Sequence, residues 1–261
     1  MTGARRTGAK GTGAKRERQT YAASDPYARL VLRTMPEESR TGLTLGFVRT
    51  FGVPEIARVL HGTGRMTSAP RARAKATGAA MFGLIGHGVD SPEGRQIVEA
   101  LRAVHDRPGI TPELMRYVLA CFTVCPLRFI DRHGHRQVTG EEREAAYAFH
   151  LSLALALRLP EPPDGRLADV ERWMGEFERA RFAPSAEGAA LWRSASKGLL
   201  AARLPAALAP LASAVAASLL DGPLSAALGV RRPAAPVRAV VTYALRARSG
   251  QVRRKMTAER G

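Results

Sequence analysis

Residues 95 to 105 read RQIVEALRAVH, and within them Ile97, Leu101 and His105 recur at i, i+4 and i+8, the spacing of one α-helical face. The spacing predicts an amphipathic helix whose apolar stripe carries an imidazole toward the core. Both ends are marked. Ser91-Pro92-Glu93 supplies a capping hydroxyl, a first-turn proline and an early acid, while Arg107-Pro108-Gly109 stops the helix. A buried neutral imidazole keeps one nitrogen lone pair and is the usual protein ligand of haem iron; a core histidine bonded to a carbonyl fits the same spacing.

Helical signals continue on the C-terminal side. Thr111-Pro112-Glu113 starts the next helix, with Leu114, Val118, Cys121 and Cys125 as its inner stripe until Pro126. Thr139 and Glu142 form a capping box for a helix that passes Tyr147, His150 and Leu157 and stops before Pro160. A further helix is expected from Asp169 to Ala180. Alternating runs rich in Val, Ile and Thr are scarce, so no sheet of any size is expected. The expected fold is all-α: a single globin-like helical domain over residues 21–230, a disordered basic tail over 1–20, and a basic C-terminal helix or tail over 231–261.

At 261 residues with 45% hydrophobic content, the chain has enough apolar material for a substantial core, which excludes wholesale disorder. Its formal charge of +17 invites a polyanion partner. The charge sits at the ends, however. Residues 1–40 hold nine Lys or Arg against four acids, and residues 231–261 hold nine against one, which leaves +4 for the body. A nearly balanced body argues against a core that tracks nucleic acid, and no specific nucleic-acid partner is expected. The basic ends suit peripheral contact with an anionic membrane.

The first residues repeat TGA-based units, as in TGAKGTGAKRER, and carry nothing larger than alanine to bury apart from Met1. Arg5-Arg6 resembles a twin-arginine start, but no apolar segment or small-residue cleavage site follows, so a cytoplasmic location is expected. The most apolar stretch lies in residues 199–230, with no charge from Leu204 to Leu220. Pro205 and Pro210 interrupt it, and a buried helix pair is expected rather than a membrane span. Cys121 and Cys125 are read as core packing, since C-x-x-x-C without further ligands is neither a zinc nor an iron–sulfur pattern. His133-Gly134-His135 reads as a solvated loop, a weak metal signal with only Asp131 nearby.

Arg73 and Thr77 stand in an R-x-x-x-T arrangement within PRARAKATGAAMFGLIGHG (residues 70 to 88), followed by the R-A-V-H element that ends at His105. FGVPEIARVLHGTGR (51 to 65) precedes them and ITPELMRYVLACF (110 to 122) follows. In order and separation these segments resemble the latex-clearing protein (rubber oxygenase) and MpaB-type oxygenase family, from about residue 45 to about residue 200.

That resemblance implies a b-type haem with His105 as the proximal ligand of the iron. It places Arg73 and Thr77 in the surrounding pocket and makes Glu55, in PEIARVL, the pocket carboxylate that serves as base. The chemistry suits these residue types: an arginine can neutralise a haem propionate or polarise dioxygen, and a threonine hydroxyl can donate a hydrogen bond. Each also has a plainer reading. Arg73 fits a solvated helix face, Thr77 a hydroxyl bonded back to a helix carbonyl, and Glu55 an exposed first-turn acid after Pro54. In the rubber-cleaving branch a lysine adjoins the threonine, whereas here that residue is Ala76 and Lys75 lies about 100° further round the helix. The departure weighs against polyisoprene cleavage itself.

The expected activity is a haem b-dependent oxygenase that adds dioxygen across a double bond of a hydrophobic, isoprenoid-like substrate. Two alternatives stand beside it: a haem-binding helical protein without turnover, and a membrane- or nucleic-acid-associated helical protein.

Overall fold

Pro26, Pro36, Pro54, Pro70, Pro92 and Pro112 each take the first position of a helix, where a missing N–H leaves nothing unpaired and the fixed φ is already helical. The computed structural model describes residues 21, 24–159, 165–200 and 212–258. In order, the helices are α1 Pro26–Arg29, α2 Pro36–Arg49, α3 Pro54–Gly62, α4 Arg65–Ser68, α5 Pro70–His87, α6 Pro92–His105 and α7 Pro112–His133. They continue with α8 Gly140–Ala156, α9 Leu167–Arg181, α10 Ala186–Ala195, α11 Ala212–Ser218, α12 Gly222–Ala227 and α13 Ala235–Ala258. Among the described residues there is no strand, and the fold is all-α. The tail expected over 1–20 and residues 201–211 of the apolar run lie outside the described residues.

The capping chemistry read from sequence is present. Ser91 Oγ accepts from the Gly94 N–H at 2.9 Å, and Thr111 Oγ1 from the Leu114 N–H at 3.2 Å. Thr139 and Glu142 exchange both bonds of a capping box, at 3.2 and 2.9 Å.

The core is organised by α2 lying against α7. Gly42 and Gly46 face α7 so closely that a Cβ on Gly42 would stand 2.4 Å from Pro126 Cα, and one on Gly46 2.6 Å from the Cys121 carbonyl oxygen. Only glycine permits two helix backbones this proximity. Phe47 of the same helix packs edge-on to Phe51, with ring centroids 5.2 Å apart, and both are buried.

This contact explains a departure from the sequence expectation. Proline 126 does not end α7, which runs on to His133. An internal proline removes one helical hydrogen bond and costs about 3 kcal/mol. Beyond it, Leu127, Phe129, Ile130 and His133 are all buried, and their apolar burial at roughly 1.5–3 kcal/mol per large side chain outweighs that loss. His133 is corrected with it: as the last residue of α7 it is 5% exposed, with its ring 4.6 Å from Phe129, rather than part of a solvated loop.

A buried ionic clamp ties distant segments to this pair. Arg49, at the end of α2, grips Glu178 of α9 through Nε and Nη2, both at 2.5 Å, and Asp221 through Nη1 at 2.6 Å. Tyr117 of α7 donates to Glu178 at 3.0 Å. Burial works against the charge on Arg49, but the Glu178 hydrogen bonds and nearby carboxylates prevail and hold the guanidinium protonated.

The stripe on α6 lies shallower than its spacing suggested. Ile97, Leu101 and His105 are half-buried, and the fully buried apolar side chain of that helix is Val98. The helix packs chiefly on α5, with Arg102 donating to the Ala156 carbonyl at the end of α8, instead of lying inside a surrounding core. In the described part of the apolar run, α11 and α12 form two short helices with Ala216, Ala217, Leu224 and Ala227 buried. Among the described residues no helix is long and apolar enough to cross a membrane.

Candidate functional site

Helices α5 and α6 carry the site. Their contact is built on Gly83, where a Cβ would fall 2.8 Å from the Ile97 Cδ1. His105 closes α6, and its Nδ1 lies 2.7 Å from the Leu101 carbonyl oxygen. A carbonyl can only accept, so Nδ1 carries the proton and Nε2 keeps its lone pair. Burial lowers the His105 pKa; the carbonyl bond opposes this, and the cations Arg73 and Arg107 lower it further. The ring is therefore neutral at pH 7. A neutral imidazole with its tautomer set by a backbone carbonyl has the form of a metal-ligating histidine.

Arg73 and Thr77 sit one turn apart on α5 and bond to each other. The Arg73 Nη1 donates to Thr77 Oγ1 at 2.5 Å, and that hydroxyl donates on to the Arg73 carbonyl at 3.2 Å. Thr77 is thus bonded back to its own helix, and its oxygen fixes the guanidinium. Arg73 also lies over the Phe47 ring, 5.7 Å from its centroid, which ties α5 to the central helix α2. Burial lowers the Arg73 pKa, and Arg65 adds like-charge repulsion. Among the described residues no carboxylate pairs with Arg73. A half-buried cation beside a second cation, without a counter-charge, suits an anionic ligand group.

The structure therefore pairs Arg73 with Thr77 and places Arg73 within electrostatic reach of His105. Glu55 is placed differently. It stands in the first turn of α3 with its side chain 40% exposed, and it accepts from Arg181 Nη1 at 2.8 Å while Arg181 also holds Glu113 at 2.9 Å. Among the described residues Glu55 bonds to that arginine and makes no hydrogen bond to Arg73, Thr77 or His105. Ala76, where the rubber-cleaving pattern has lysine, is exposed, as is Lys75.

The donor set at this site fits a haem: His105 offers one nitrogen lone pair, and Arg73 and Arg65 offer cations for propionates. Ala76, one turn from Arg73 on α5, is exposed, and the nearest side-chain atom to a Cβ on Gly78 is 3.9 Å away in Phe82. Among the described residues no three His, Cys, Asp or Glu side chains gather as a metal cluster; a haem asks for one axial side chain, not for such a cluster.

Sequence reasoning missed a second neutral histidine. His150 of α8 is 1% exposed, and its Nδ1 meets Thr123 Oγ1 of α7 at 3.1 Å. That hydroxyl donates to the Leu119 carbonyl, so it accepts from His150. Burial, with Arg116 adding to it, lowers the His150 pKa to about 4. Thr123 and His150 are 27 residues apart on different helices, so no local spacing signals the pair. The parts played by Arg65 and Phe47 at Arg73 likewise arise from packing alone.

The family described as "ER-bound oxygenase mpaB/B'/Rubber oxygenase, catalytic domain" matches residues 37–249, a span that includes Glu55, Arg73, Thr77 and His105. No curated protein matches the chain.

Proposed function

The chain belongs to the MpaB/rubber oxygenase catalytic-domain family, and from that premise we propose a haem b-dependent oxygenase that cleaves or oxygenates a double bond of a hydrophobic, isoprenoid-like substrate with dioxygen. The observation that carries this reading is the free Nε2 of His105 beside the uncompensated Arg73. Haem, when bound, supplies the iron at which dioxygen is activated. His105 would hold that iron through Nε2, since the Leu101 carbonyl keeps the proton on the opposite nitrogen. Arg73 would bind the anionic edge of the cofactor or polarise dioxygen. Thr77 would act as a positioning residue, since its hydroxyl fixes the guanidinium. Addition of both oxygen atoms across the alkene yields two carbonyl groups, so the electrons balance without an external reductant.

The purified protein should show a Soret band and consume dioxygen with prenyl-type alkenes. His105→Ala should lose the haem, while His87→Ala and His150→Ala retain it, with circular dichroism confirming that each variant is folded. An unchanged Soret intensity in His105→Ala would remove the axial-ligand assignment. Ala76, in place of the lysine of the rubber-cleaving branch, favours a second reading in which haem is bound without turnover. A Soret band with no oxygen uptake across the alkene panel would select it.

A further inference from the structure

Helix α13 is the most exposed long element of the described chain. Among the described residues six large hydrophobic side chains are exposed, and four of them lie on this one helix: Val237, Val240, Tyr243 and Val252. Val240 and Tyr243 are 67% and 76% exposed. Val237, Val240 and Tyr243 follow one another at three-residue steps, so they sweep a sector of roughly 120° on one side of the helix. The opposite side is seated. Arg246 Nε donates to the Arg132 carbonyl at 2.7 Å, and Ser249 is buried with its Oγ 3.3 Å from His135 Nδ1.

Two open clefts flank Arg246 along the seam between α13 and the end of α7. One, of about 380 Å³, is lined by Ala235, Ala239, Thr242 and Tyr243 with the stems of Arg132 and Arg238. The other, of about 400 Å³, is lined by His135, Arg136, Arg253 and Asp131 among others. The Asp131 carboxylate is already committed, to the Val138 N–H and to Arg143, as is Glu142 to Arg136. The charge left facing outward is positive. From residue 222 to residue 258 there are eight Lys or Arg and no Asp or Glu.

An exposed apolar sector on a helix that carries an excess of cations has one partner chemistry that satisfies both. A nucleic acid would take the arginines and leave the valines and tyrosine in water. A second copy of the helix would set six cations against six. We propose that α13 docks on an anionic phospholipid surface, with Val237, Val240 and Tyr243 entering the boundary between headgroups and acyl chains and Arg246 and Arg248 binding lipid phosphates. The helix lies in the interface plane, in keeping with its length and composition. The docking face stands apart from Arg73 and His105 in sequence and does not depend on the haem assignment.

The test is co-sedimentation of the full chain with vesicles of phosphatidylcholine alone or phosphatidylcholine mixed with phosphatidylglycerol. The full chain should pellet with the mixed vesicles and not with the neutral ones. Val240→Asp combined with Tyr243→Asp should weaken this at least tenfold, and Arg246→Gln and Arg248→Gln about fivefold each. These side chains are exposed, so a thermal melt should show each variant folded; Arg248→Gln alone serves if Arg246→Gln loosens the seam. Equal binding to neutral vesicles, no binding to either, or full binding by the aspartate variant would overturn the proposal. So would duplex DNA binding that survives the aspartate substitutions, or concentration-dependent self-association that they abolish.

Discussion

The α2–α7 pair and the α5–α6 pair both approach each other over glycine, and the two glycines meet different neighbours. At Gly42 the obstacle to a side chain is the backbone of Pro126; at Gly83 it is the flexible end of Ile97. The first pair is further closed by buried Phe47, Phe51 and Phe122 and by the Arg49–Glu178–Asp221 clamp. In the second, His105, Arg73 and Thr77 are half-buried and Arg73 has no carboxylate among the described residues. One pair spends its polar groups on holding the frame, whereas the other leaves cationic and nitrogen-donor capacity open for a ligand.

The sharpest way to break that contrast is to open the clamp. Arg49→Met should destabilise the fold by about 3–5 kcal/mol in denaturant unfolding, because Glu178 is left buried without its cation. A loss under about 1 kcal/mol would mean the clamp is not what ties α9 to the central pair.

The glycines give a matched comparison. Gly42→Ala should cost about 3 kcal/mol, at the upper end for overpacking since a backbone cannot swing aside. Gly83→Ala should change stability by less than about 1 kcal/mol, as Ile97 can move and alanine favours the helix. Similar losses at the two sites would erase the distinction between a locked and an adjustable contact.

On the open pair, Arg73→Ala should keep a folded protein with partial haem content while turnover falls about ten- to a hundredfold, the worth of a charged hydrogen bond at roughly 1.5–3 kcal/mol. Thr77→Val should give a smaller effect in the same direction, since Thr77 orients Arg73. Activity equal to wild type in both would make this face structural.

The histidines extend the comparison to pH. His150, inside the frame, has a folded pKa of about 4, below the ordinary 6.5 of an unfolded chain. The unfolded state therefore takes up the proton first, so its contribution is complete above about pH 6.5 and is lost as pH falls toward 4. By pH 5 this amounts to about 2 kcal/mol. Melting temperature should fall over that window, and His150→Leu should flatten the fall. An unchanged pH slope in that variant would show that other groups, with His133 first among them, set the acid limit.

Much of the helical layout was legible in sequence because capping is local. Ser91, Thr111 and the Thr139/Glu142 box act over three residues, and each sits where the sequence indicated. The grouping of Arg73 with Thr77 follows from one helical turn. Glu55 shows the limit of that order, for a position in PEIARVL says nothing of Arg181, which is 126 residues away. Pro126 and His133 were misread for the same reason: local rules end the helix at a proline, and only packing against α2 carries it further.

The sequence by itself determined which segments are helical, where most begin, and which residue types lie on one face, since these depend on neighbours within a turn or two. The tertiary structure decided how deep each face lies, which proline a helix tolerates, and which charges are spent or left open. Those outcomes rest on contacts such as Arg49 with Glu178 and Asp221, 129 and 172 residues apart, whose energy exists only once the chain has brought them out of water together.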